Sequence, residues 1–74
     1  MNILITSAGR RVSLINAFKM VSKQLNTRSK IFITDLDPVR SPASYFADDS
    51  FKIGFFNDPS YISDLLEICL KNKI

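Results

Sequence analysis

Two groups of residues in the first half of the chain have types and spacings that could do chemistry. The first is Ser7, Ala8, Gly9, Arg10 and Arg11, a short loop between an apolar run and a helical pattern. A helix that opens after such a loop aims its first amides and its positive dipole end at it, which favours an anion. Arg10 or Arg11 would add a two-pronged grip on a carboxylate or phosphate. Gly9 would permit the tight turn, and the plainer reading leaves both arginines solvated. The second group is Asp35 and Asp37, after a second apolar run. An acidic residue there can hold a ribose 2′-hydroxyl. The same carboxylates can instead cap the turn that leads into Pro38.

Other constellations are poor. A G-x-G-x-x-G fingerprint would fall on Ser7, Gly9 and Val12, so one glycine of three is present. The chain has no His, which removes the commonest general base and the commonest metal ligand. Asp48 and Asp49 read as a turn, not a metal site. Cys69 falls on an apolar helix face and reads as a core thiol. No catalytic residue and no metal set is assigned. With no G-x-x-x-x-G-K loop either, the chain is not expected to hydrolyse ATP by itself.

The elements that must position these residues follow from hydrophobic period. "NILIT" (Asn2 to Thr6) suits a strand buried on both faces. From Val12 the period becomes helical. Leu14, Phe18, Val21 and Leu25 recur on one stripe, widened by Ile15, in a helix that ends near Asn26. "KIFIT" (Lys30 to Thr34) is a near copy of the first strand. "DLDPVRSP" is a connection punctuated by Pro38 and Pro42, and "ASYFA" suits one helical turn. Phe51 to Ile53 reads as a short strand at a sheet edge. Asp58 as N-cap and Pro59 as first residue open a last helix to about Lys71, with Ile62, Leu65, Leu66 and Cys69 on one face.

Strands alternating with helices imply a parallel sheet with right-handed crossovers. The expected fold is therefore α/β: a small Rossmann-like, three-layer unit, with three parallel strands in the order 3-2-1 and helices on both faces. Residues 1–74 form one domain. The chain stops where the next strand of such a unit should start, so a fragment, or the product of a split or truncated gene, is expected. "NILIT" would then be an exposed sheet edge that invites self-association.

Composition is that of a globular protein, with 46% hydrophobic and 23% charged residues. The net charge of +3 is spread along the chain, without the dense basic stripe of a nucleic-acid binder. No apolar run approaches the ~20 residues of a membrane span, and no signal peptide is visible. One Cys makes no intrachain disulfide, and a cytoplasmic setting is expected.

"SAGRR", "TDLDP" and the Ala-Asp step before the third strand, in that order, resemble the N-terminal segment of ATP-grasp proteins. The likeness is greatest to those similar to the carbamoyl-phosphate synthase large subunit, and it covers essentially the whole chain. The resemblance implies a preATP-grasp domain on the substrate side of an ATP-dependent carboxylate–amine ligase, a reaction that proceeds through an acyl phosphate. It implies ATP and Mg²⁺ for the parent protein, held by later lobes and not by this segment, so no catalytic residue carries over. A substrate role could transfer to Ser7, Ala8, Gly9, Arg10 and Arg11. Expected partners are the missing lobes or a separately encoded subunit, a small carboxylate or phosphate, and a second copy through the sheet edge. Neither nucleic acid nor membrane is expected. The alternatives are a nucleotide- or dinucleotide-binding fragment, and an interaction module that docks on a separate ATP-grasp subunit.

Overall fold

The computed structural model describes residues 2–8, 11–25 and 28–74. The elements are β1 (Ile3–Ile5), α1 (Val12–Gln24), β2 (Ile31–Asp35), two 3-10 turns (Pro38–Arg40 and Pro42–Tyr45), β3 (Asp49–Lys52) and α2 (Tyr61–Lys71). The strands form one parallel sheet in the order β1-β2-β3, which is the expected order read from the other edge. Ile3 pairs with Ile31 and Ile5 with Ile33; Phe32 pairs with Asp49 and Thr34 with Phe51. The central strand, β2, is the most buried, as its unbroken apolar run requires.

Alternation along the strands sorts side chains onto two faces. Ile3, Ile5, Ile31 and Ile33 share one face and pack with Ala8, Ile15 and Ala43. Ile15 brings α1 to that face, and Ala43 brings the second 3-10 turn. Asn2, Leu4, Phe32, Thr34 and Phe51 take the other face, where the Phe32 and Phe51 rings lie 5.9 Å apart. α2 covers this side: the Asn2 amide side chain donates to the Asn72 carbonyl at 2.8 Å. The three layers are thus helix, sheet and helix. No helix among the described residues is long and apolar enough to cross a membrane.

Several boundaries differ from expectation. β3 begins at Asp49, before Phe51, because Asp48 pins its start. The Asp48 carboxylate accepts from the Ile31 amide at 2.7 Å, and the Asp48 amide donates to the Ile31 carbonyl at 2.8 Å. Asp48 therefore ends the connection as expected, whereas Asp49 belongs to the strand. α2 starts at Tyr61 with Ser60 as its N-cap residue, two residues after the expected Asp58 cap. Asp58 instead shapes the turn before the helix. The expected cap at Asn26 lies outside the described residues, and α1 ends with Leu25 as C-cap. The largest difference concerns α1. Leu14, Phe18, Val21 and Leu25 are exposed, and Ile15 is the helix's one fully buried residue among those described. A three-stranded sheet covers only a narrow seam of the helix, and that seam lies a quarter turn from the stripe.

Candidate functional site

A cleft of about 180 Å³ opens at the carboxyl ends of the strands. That is where open parallel sheets bind ligands. Ser7 follows β1, Asp35 and Leu36 end β2, and Ile53 and Gly54 follow β3. Phe55, Phe56 and Tyr61 complete the wall. The β-α connections deliver all of these to one edge because the strands are parallel.

The loop after β1 is held closely. Ser7 takes the left-handed conformation at φ 51°, which costs a residue with a Cβ something and turns the chain sharply. Ala8 is fully buried in the core. Its amide donates to the Thr34 carbonyl at 3.3 Å, and its carbonyl accepts from the Arg11 amide at 2.6 Å. The Ala8 and Arg11 amides are therefore spent on protein carbonyls. Among the described residues, the amides of α1's first turn and the Arg11 side chain remain to meet an anion. Arg11 is exposed, is the N-cap residue of α1, and is not part of the cleft wall. Gly9 and Arg10, expected in the same site, lie outside the described residues.

Asp35 and Asp37 are separated. One Asp35 oxygen accepts from the Leu36 amide at 2.9 Å, and its carbonyl accepts from the Ile53 amide at 3.0 Å. These bonds fix the carboxylate at the cleft. Asp37 instead lies along a shallow groove of about 580 Å³ with Lys52 and Tyr45. It sits 3.6 Å from the Arg40 guanidinium, in an exposed pair of little energetic weight. Asp37 precedes the first 3-10 turn but makes no side-chain cap bond to it.

The third side of the cleft was missed by sequence reasoning. Gly54 allows the chain to pass close to Asp58: a Cβ there would stand 3.3 Å from Asp58 Oδ2. Asp58 in turn accepts from the Ser60 amide at 2.9 Å and the Ser60 hydroxyl at 2.8 Å. Those two bonds, the amide's first, hold its carboxyl below the usual range. Phe55 and Phe56 are 63% and 81% exposed. The available signal was the adjacent aromatic pair just past the third strand, in "GFFNDPSY". Large rings left in water at a strand's carboxyl end mark a binding surface better than a core.

The site can therefore offer an apolar, ring-lined wall, the fixed Asp35 carboxylate and the hydroxyls of Ser7 and Tyr61. Among the described residues no three His, Cys, Asp or Glu side chains gather in a way that could hold a metal ion. No curated protein matches the chain. A family model does match, over residues 3–74, and it agrees with the resemblance carried by the first loop and the Asp35 turn: the chain belongs to the PylC-like N-terminal domain family, a preATP-grasp-like domain.

Proposed function

We propose that this domain forms the acceptor-substrate side of an ATP-dependent carboxylate–amine ligase, of the carbamoyl-phosphate-synthase-like type, and is inactive without ATP-grasp lobes. The observation that carries the reading is the cleft at the carboxyl edge of the sheet, in a chain that matches a PylC-like N-terminal domain over residues 3–74. Asp35 and Ser7 would orient a polar substrate group, Phe55 and Phe56 would cover its apolar part, and Arg11 with α1's first turn would attract a carboxylate or phosphate. Gly9 and Arg10 belong to the same proposed loop. The sequence has no G-x-x-x-x-G-K loop and no acidic ligands cluster among the described residues, which supports assigning the phosphates and Mg²⁺ of ATP elsewhere. Those groups fall to the lobes, supplied in the same polypeptide or by a separate subunit, in the cytoplasm.

Fusion ahead of the ATP-grasp lobes of a PylC-like protein tests the proposal. Carboxylate-dependent ADP release is expected, with Asp35→Ala and Phe55→Ala each raising KM for the acceptor about tenfold, a loss of ~1.4 kcal/mol. ADP release that is indifferent to the domain and to both substitutions would refute it. The isolated chain is expected to show no ATP turnover after rigorous purification. A second reading, nucleotide binding, is favoured by one feature, Asp35 at the tip of β2. It predicts that a ribose-bearing nucleotide shifts the Asp35 and Ser7 amide signals, whereas acetate and phosphate leave them in place.

A further inference from the structure

The walls of the cleft are bonded to one another. The Ile53 amide donates to the Asp35 carbonyl at 3.0 Å, which ties the ends of β2 and β3 together. The Asp58 amide donates to the Phe55 carbonyl at 2.9 Å, and the Tyr61 amide to the Asp58 carbonyl at 3.0 Å. The Asp58 carboxylate accepts from Ser60 and stands against Gly54. These bonds fix Gly54, Phe55 and Tyr61 beside Asp35, whatever borders the sheet at β1.

The charge of this wall has one sign. Asp35 is its one charged side chain among the described residues. Asp58, kept ionised by its bonds to Ser60, adds a second negative charge behind Gly54. Lys52 pairs with Asp35 in the strand register, but it lines the groove of Asp37, which Arg40 also accompanies. Arg11 lies outside the wall. Asp35 spends one oxygen on the Leu36 amide at 2.9 Å, and its second oxygen has no partner among the described residues. The rest of the wall is apolar, with Leu36, Ile53 and the rings of Phe55, Phe56 and Tyr61. The face of an aromatic ring carries negative potential and attracts a cation. Carboxylate and rings therefore select the same sign.

We infer that the cleft takes the cationic end of its ligand, a primary ammonium or guanidinium on a short apolar stem. This ligand class rests on the substrate-side reading of the same cleft and makes it specific. The end group must carry N–H donors, because the second Asp35 oxygen and the Ser7 hydroxyl can both accept. The stem packs on Leu36 and on the Phe55 and Phe56 rings. A carboxylate entering instead would meet the like charge of Asp35. At about 180 Å³ the cleft is smaller than the roughly 300–1,000 Å³ that a drug-sized ligand fills. It therefore admits this end alone, and the rest of the ligand leaves through the open mouth.

Amide NMR titrations of the chain with n-butylamine, n-butanol and butyrate, at neutral pH and constant ionic strength, test the inference. The three probes share a short stem and differ in the charge of the end group. Butylammonium should shift the Ser7, Leu36, Gly54 and Phe55 amides saturably, and should bind about tenfold more tightly than the other two. Asp35→Asn keeps the oxygen that the Leu36 amide needs and should abolish that preference. Phe55→Ala should weaken butylammonium binding severalfold. Asp37→Asn, outside the cleft, should leave it unchanged. Equal or tighter binding of butanol or butyrate overturns the inference. So does the lack of a saturable shift with the amine, a preference that survives Asp35→Asn, or an equal loss in Asp37→Asn. The ligase reading is judged separately, by ADP release from the fused protein, so either can fail without the other.

Discussion

At the scale of single residues, Thr34 departs most from the rule that buried polar groups are paired. Its hydroxyl lies in the central strand, fully buried, with no hydrogen-bond partner among the described residues. The cost of such a group is about 1–3 kcal/mol. Thr34→Val removes the hydroxyl and keeps the branched shape that a strand prefers. The substitution should raise the unfolding free energy by about 1 kcal/mol, read from the urea midpoint; a drop would mean that the hydroxyl is satisfied. Asp58 shows the opposite condition, a carboxylate with two donors. Its depressed pKa makes its contribution full above the unfolded carboxylate value, and that contribution is lost as pH falls through the lower folded value. An NMR titration of Asp58 should give a midpoint below that of a free aspartate. Ser60→Ala should raise it partway, because the hydroxyl bond is removed and the amide bond remains. Neither residue was legible in the sequence. "KIFIT" gives the strand but not whether its Thr finds a partner, and "DPS" reads as a cap until the turn places Ser60 over Asp58.

At the scale of elements, periodicity and turn chemistry gave the order and type of each strand and α-helix correctly. Their ends were set by bonds between distant residues. β3 starts where Asp48 reaches the Ile31 amide across 17 positions of sequence. Asp48→Ala should cost about 1 kcal/mol, less than the usual ~1.5–3 kcal/mol of a charged hydrogen bond because the residue is exposed. Asp48→Asn should recover most of it, and equal losses for both would show that the charge, not the bond, is what matters. The end of α2 is similar. Lys73 takes φ 56°, and the Ile74 amide closes a Schellman turn on the Cys69 carbonyl at 3.0 Å. A left-handed residue with a Cβ costs about 1–2 kcal/mol, while glycine adds about 0.5–1 in backbone entropy. The difference favours Lys73→Gly by roughly 0.5 kcal/mol, a small upward shift in midpoint. No sequence pattern pointed to a lysine there.

At the scale of the whole molecule, the question is which apolar residues a three-stranded sheet can cover. The stripe of α1 drawn from spacing alone makes Phe18 central to packing. The fold makes it marginal: Phe18 is 36% exposed, whereas Ile15 is fully buried against Ile31, Ile33 and Ala43. Periodicity locates an apolar face but cannot say which part of it meets the sheet and which part stays exposed. The two positions give opposite orders of sensitivity. Ile15→Ala opens a cavity in a core with few other members and should cost about 2–5 kcal/mol. A small domain is stable by only about 5–15 kcal/mol, so the urea midpoint should fall by a large fraction. Phe18→Ala removes a larger side chain from a half-covered site, and its cost should be less than half as great. Urea melts of the two variants at equal concentration decide the matter. If Phe18→Ala proves the more damaging, the helix is rotated on the sheet by a quarter turn, and its apolar flank is core.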